Sequence, residues 1–485
     1  MAIASPPGTA RVFTIFRAGS WRADHARSVV LSLWWWRLGA VLLILGSAWP
    51  APLGRISGLT ITGDRILGLA ALAALAALAV AGRLHWTRVH TALALFVGAQ
   101  ALATAVNARS WAQGPKFVTV YLLGFACFAL AAECARGLDG RRWLTGAWIG
   151  VAAALSVVGT VSAVLSNVYQ RPFWGSGGAQ PLFQDTDYER ILYGARATFN
   201  EWNLFSSFLL IAFSVALWAW RRDAVRHWRL AALVAMVFGL VNGITRATWL
   251  SMLAIVALWW WKRRPSSKQA VALPATLAGI LGAALLVQAL SLGAMPLWAR
   301  LFEHPSNLMH RMVINNVTID SWLERPVSEP EARYAAVERV VSEGPGLLGT
   351  AQNVLLGHGA GSVNRLSIVF PIAGRVHRIW NGNVVLFVLH DSGILGLAAL
   401  LGVVAVIVWR ARRVIARGAD EETSLLIVPL FAGGAALCFA YQFTHGLWLM
   451  YPYVYLGLLT AVLQTSADGR RLSSETHAVD SRSGG

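Results

Sequence analysis

Long apolar runs, each bounded by arginine, lysine or a short polar turn, recur from residue 31 to residue 464. A helix that crosses a bilayer needs about 20 mostly apolar residues. The runs near 31–49, 66–82, 90–107, 116–135, 143–168, 203–220, 230–245, 247–261, 271–293, 392–409, 424–443 and 446–464 approach that length. The pattern predicts an all-α, polytopic integral membrane protein of about 12 transmembrane helices. Spans one to nine fill 31–293 and spans ten to twelve fill 392–464, with Arg37 inside the first run and Glu133 near the end of the fourth.

Two of the intervening segments are long. The first, about 169–202, is rich in glycine, aromatic residues and acids; the second, 294–391, carries eight basic and eight acidic residues. Within it Ser328 and Glu331 have the spacing of a capping box, with Pro330 in the first turn. Tyr334, Val337 and Val341 then recur at helical spacing until Gly344-Pro345-Gly346, which predicts an amphipathic surface helix over about 329–343. Residues 1–30 read as a basic tail rather than a signal peptide, and 465–485 as a disordered polar tail.

Composition narrows the class. Hydrophobic residues make up 56% of the 485 and charged residues 13%, with a mean hydropathy of +0.55. A soluble domain carries about 25% charged residues, so a soluble globular enzyme is excluded. The 23 Trp and 19 Phe exclude a disordered or fibrous chain. Cys127, Cys134 and Cys438 all fall in apolar runs and read as small buried hydrophobes. The net charge of +18 raises the question of nucleic acid, but its distribution answers it. With both termini placed in the cytoplasm, the tails and loops on that side hold 24 Lys/Arg against 10 Asp/Glu, and the opposite side holds 16 against 13. That split is the positive-inside signature, so the basic excess reports topology and no nucleic-acid partner is expected.

Arg246 is the most informative candidate for chemistry. Sixteen residues separate it from Arg229 and fifteen from Lys262, so each helical arm rises about 24 Å, short of a hydrocarbon core of about 30 Å. It either lies in a protein-lined or water-lined cavity below the outer surface, where an arginine marks function, or snorkels to the interface. Arg196 opens the sixth span, followed by Asn200, Glu201 and Asn203. Capping accounts for the asparagines and the glutamate, but not for an arginine beside a positive helix end. Two arginines bordering one cavity suit a phosphate or pyrophosphate, which guanidinium grips bidentately. A third cluster, Arg375, His377, Arg378, Trp380, Asn381 and Asn383, closes the long loop ahead of His390-Asp391. Its histidine could act as a general base, or the cluster could be a solvated loop. Gly357-His358-Gly359-Ala360-Gly361 has the look of a phosphate-cradling run without the strand and helix that should flank one. No HExxH, CxxC or Walker A pattern occurs, so neither a catalytic metal nor ATP is expected.

The order R-A-T-F-N-E-W-N at 196–203, G-I-T-R-A-T-W-L at 243–250, G-H-G-A-G-S at 357–362 and N-x9-G-I-L-G from Asn383 resembles the O-antigen ligase and polymerase superfamily of bacterial membrane glycosyltransferases, over roughly 190–410. The resemblance implies transfer of a glycan from an undecaprenyl-diphosphate carrier to an acceptor hydroxyl, on the outer face of the cytoplasmic membrane and without a metal or other cofactor. It implies catalytic roles for Arg196, Arg246 and a histidine, and substrate binding by Arg375, Arg378, Asn383, Glu201 and Asn203. Two positions depart from the family pattern: Trp202 replaces a proline, and Gly382 stands where the family has its histidine, which leaves His377 as the nearest substitute. A twelve-span transporter or lipid-linked glycan flippase is the alternative, although the large loop follows span nine rather than the midpoint expected of two repeats. A structural membrane protein would not need Arg246 at membrane depth.

Overall fold

The computed structural model describes residues 21–56, 59–107, 114–173, 179–181, 193–219, 226–263, 278–287, 289–290, 306–323, 336–338, 350–365, 367–372, 375–379, 382–416, 421–444 and 446–480. Its helices are α1 (Trp21–Ser47), α2 (Gly63–Val80), α3 (Arg88–Val106), α4 (Gly114–Cys134), α5 (Leu138–Tyr169), α6 (Trp202–Ala219), α7 (Arg226–Asn242), α8 (Arg246–Arg263), α9 (Ala278–Val287), α10 (Ser306–Trp322), α11 (Thr350–Leu356), α12 (Val384–Ala416), α13 (Glu421–Ala440) and α14 (Tyr451–Asp480). Five helices, Gly63–Val80, Arg88–Val106, Gly114–Cys134, Asp139–Tyr169 and Val384–Ala416, are long and apolar enough to cross a membrane. Shorter apolar helices occur at Trp34–Ser47, Trp202–Leu217, His227–Asn242, Arg246–Trp260, Ala278–Val287 and Ile427–Ala440. The protein is therefore all-α and of the membrane-embedded class.

α6 lies at the centre. Every residue from Leu204 to Leu217 is buried, as expected of a helix that is apolar on all sides. α13 packs on both α6 and α8, α5 packs on α7 and α1, α14 runs along α4, and α3 runs along α12. Aromatic rings seal the start of α6: Phe208 meets Phe199 at 5.3 Å, Tyr451 at 5.6 Å and Trp148 at 6.1 Å between centroids. On the outside, Leu69, Leu95, Leu250 and Leu401 are more than half exposed, which suits lipid contact.

Small antiparallel sheets decorate the connections. β1 (Pro52–Ile56) pairs with β2 (Leu59–Thr62), and β3 (Ala179–Pro181) with β4 (Tyr193–Ala195). β5 (Ala336–Glu338), β6 (Ser367–Ile372) and β7 (Arg375–Ile379) form a third sheet. β5 overturns the amphipathic helix expected over 329–343, because Val337 pairs with Ile368 in a strand. Local helical spacing lost there to long-range ladder pairing, as β-branched residues permit. The remainder of 329–343 lies outside the described residues.

Three boundaries also move. The helix expected from 392 starts at Val384, eight residues earlier, because Asn383 caps it. α14 carries on to Asp480 through the tail expected to be disordered, since extending an existing helix needs no new nucleus. At the other end, α1 starts at Trp21, inside the stretch read as a basic tail.

Candidate functional site

Arg196 is positioned by a turn that the surrounding structure holds firmly. Asn167 of α5 donates from Nδ2 to the Tyr193 carbonyl at 3.0 Å and accepts the Tyr193 N–H on Oδ1 at 2.7 Å. Ala197 then takes a left-handed φ of 46°, and Phe199 donates its N–H back to the Arg196 carbonyl at 2.9 Å. Thr198 adds a hydroxyl bond to the Ala48 carbonyl. Arg196 is left half-buried: its Nη1 donates to the Asn200 carbonyl at 3.4 Å, while its buried Nε–H has no acceptor among the described residues. Burial lowers its pKa from the ordinary arginine value. Glu201 is exposed, and its carbonyl accepts the Phe205 N–H at 3.2 Å to start α6.

Asn203, one residue into α6, accepts the Thr245 hydroxyl on Oδ1 at 2.8 Å. That bond seats the α7–α8 turn on the start of α6. Ile244 makes the turn with a left-handed φ of 50°, and Trp249 locks the hairpin by donating Nε1–H to the Leu240 carbonyl at 2.8 Å. Arg246 follows as the first residue of α8, with its side chain exposed. Arg246 thus starts α8, Arg196 lies in the turn that leads into α6, and the two helices are joined through Asn203 and Thr245.

A third arginine joins them. Arg311 of α10 donates from Nη1 to the Phe443 carbonyl at 2.6 Å, with its Cζ 5.5 Å from the Phe443 ring centroid. Burial, and after it the charge of Arg246, lowers the Arg311 pKa. Sequence reasoning missed Arg311 because it missed α10. The signal was present in the buried Ile314, Val317 and Thr318, a helical i, i+3, i+4 stripe.

The Phe443 carbonyl also explains why position 382 is glycine. A Cβ on Gly382 would fall inside van der Waals contact of that oxygen, so no side chain fits the position. The neighbouring Asn383 accepts the N–H groups of Val385 at 3.0 Å and Leu386 at 3.1 Å on Oδ1, which makes it the cap of α12. Val384 N–H reaches the Tyr441 carbonyl at 2.9 Å, and the Tyr441 hydroxyl reaches that of Tyr451 at 2.9 Å. The first turns of α6, α8, α12 and α14 are thereby drawn to one end of the bundle. Each helix start carries about half a positive charge. Arg246 and Arg311, within electrostatic reach of one another, add positive charge at this end. Arg375, His377 and Arg378 lie on β7, paired with Ile372, Phe370 and Val369 respectively.

A second polar cluster is spent on the fold. α12 breaks at Ser392 (φ −134°, ψ 15°) and Gly393 (φ 62°, ψ −162°), and the glycine-rich run wraps around the break. His358 N–H and Gly359 N–H donate to the His390 and Asp391 carbonyls, each at 2.9 Å. The fully buried Asp391 carboxylate accepts Gly361 N–H at 2.6 Å, Ser362 Oγ–H at 2.9 Å and Val363 N–H at 3.0 Å. The cradle does hold an anion, but the anion belongs to the protein. His390 sits between hydroxyls, with Nδ1 3.0 Å from Ser362 Oγ and Nε2 3.2 Å from Ser321 Oγ of α10.

Among the described residues no three His, Cys, Asp or Glu side chains gather closely enough to hold a metal ion. Fold and site together define an all-α membrane protein with a cationic site at one end of its bundle. No protein-family model matches the chain, and no curated protein matches it.

Proposed function

We propose that this is a twelve-span membrane glycosyltransferase of the O-antigen ligase or polymerase type, placed in the bacterial cytoplasmic membrane with its site on the outer face and both termini in the cytoplasm. It moves a glycan from an undecaprenyl-diphosphate carrier to an acceptor hydroxyl. The single observation that carries the reading is the pair Arg246 and Arg311, like charges held within mutual electrostatic reach beside the joined starts of α6 and α8. Like charges in that setting oppose one another until a polyanion lies between them. A diphosphate supplies at least two negative charges, and planar guanidiniums match its oxygens.

In the reaction the acceptor oxygen attacks the anomeric carbon, the bond from that carbon to the phosphate oxygen breaks, and undecaprenyl diphosphate departs with the electron pair. Direct displacement inverts the anomeric centre. The arginines stabilise the charge growing on the leaving group, which removes the need for a metal. The acceptor proton passes to His377, the nearest histidine to the position that Gly382 closes. The experiment is a transfer assay in proteoliposomes holding a lipid-diphosphate-linked glycan and a hydroxyl acceptor. Transfer that is lost in Arg246→Lys supports the reading, and glycan movement across the bilayer without bond formation would replace it with the flippase.

A further inference from the structure

The opposite ends of α3 and α12 hold a second concentration of positive charge that the transfer reaction does not use. Arg88 opens α3, Arg413 lies in the last turn of α12, and both lie against one indole. The Arg413 Cζ is 3.9 Å from the Trp409 ring centroid and the Arg88 Cζ is 5.1 Å from it, so the two guanidinium carbons are no more than about 9 Å apart. Arg88 also carries its charge at a helix start, where a cation is disfavoured. Among the described residues, the nearby carboxylates of α4 and α5 are engaged elsewhere: Glu133 accepts the His85 N–H at 2.8 Å and pairs with Arg136 at 3.3 Å. Asp139 pairs with Arg37 at 2.8 Å.

We propose that Arg88, Trp409 and Arg413 form the headgroup site of one anionic phospholipid from the surrounding bilayer. One phosphodiester between the guanidiniums relieves their repulsion and accepts bidentate hydrogen bonds from each. What selects a lipid over free phosphate is the surface leading away from the charges. Ala405 and Leu401 are exposed one and two turns before Trp409 on α12, and Leu95 is exposed two turns after Arg88 on α3. α3 and α12 pack together, so these positions continue the charged pair as an apolar strip along which an acyl chain can lie.

The test uses the purified full-length protein in detergent, titrated with phosphatidylglycerol or with phosphatidylcholine of the same chains, and read by native mass spectrometry. Phosphatidylglycerol binds the wild type more tightly, and Arg88→Gln with Arg413→Gln weakens its tightest site about thirtyfold, as expected for two basic contacts, while phosphatidylcholine binding stays unchanged. Thermal unfolding in the same detergent verifies that the double variant is folded; the single variant Arg413→Gln gives a smaller loss of the same kind if it is not. Equal affinity for the two lipids, or unchanged phosphatidylglycerol binding in the folded variants, overturns the proposal. Displacement of the bound lipid by millimolar inorganic phosphate overturns it in favour of a free-anion site.

Discussion

Arg311 serves two masters, a backbone carbonyl and whatever anion the site takes, and the two separate by measurement. Arg311→Ala leaves the Phe443 carbonyl with the Thr444 hydroxyl, 2.8 Å away, as its remaining donor, so the cost is at most about 1 kcal/mol, a small change in melting temperature. Transfer falls on the order of tenfold or more in the proteoliposome assay, because one leaving-group contact is lost. Arg246→Lys retains the charge but not the planar fork, and its rate falls about 10²–10³-fold with little effect on melting. Gly382→His does not place a usable imidazole at this position. Its Cβ collides with the Phe443 carbonyl, and thermal unfolding should register a loss of about 1–3 kcal/mol. At this scale the sequence was legible where charge fell at an element boundary, as at Arg196 and Arg246. It was not legible where a role depends on a partner far along the chain, as for Arg311 with Phe443 or Asn383 as a cap.

The break in α12 is the element with the most exacting chemistry. Its ionisable residues and unwound backbone resemble the discontinuous helices of transporters, where such groups face a substrate path. Here Asp391 takes donors from Gly361, Ser362 and Val363, and the His390 and Asp391 carbonyls take the N–H groups of His358 and Gly359, earlier in the loop. Gln100 of α3 closes the network by donating Nε2–H to Ser392 Oγ at 2.8 Å, and Asn107 donates to the Gly357 carbonyl at 2.5 Å. Gly357 and Gly393 both have positive φ and lie where any Cβ would strike the opposing backbone. Asp391→Ala strands two buried backbone donors, Gly361 N–H and Val363 N–H, and leaves the Ser362 hydroxyl only His390, so it should destabilise the protein by about 2 kcal/mol or more, read as a large drop in melting temperature. Asp391→Asn, which keeps acceptor capacity, should fall between that variant and the wild type. The glycines of 357–361 were plain in the sequence, and so was the suggestion of a bound anion. That the anion is Asp391, thirty residues on, depends on the break that Ser392 and Gly393 introduce, and no local periodicity announces it.

Across the whole molecule, the apolar runs were the legible part, since burial in lipid imposes a length that can be counted. Each described apolar helix falls on a run read from the sequence. In the long segment between α9 and α12, the stripe of Ile314, Val317 and Thr318 that marks α10 was legible, but the three-stranded sheet was not, because it depends on pairing between distant residues rather than on period. The charge split between loops predicts that reporter fusions at Ser267 and Ala351 report cytoplasm and exterior respectively, and a reversal at either position breaks the topology. The proposed topology would put the starts of α6, α8, α12 and α14 on the outer face, so the fate of the lipid diphosphate decides the proposal. The direct measurement is the affinity of the purified protein for undecaprenyl diphosphate without sugar, compared among wild type, Arg196→Ala, Arg246→Ala and Arg311→Ala. The account predicts tight binding by the wild type and a loss of about tenfold or more in each folded variant; wild-type affinity in all three would contradict it.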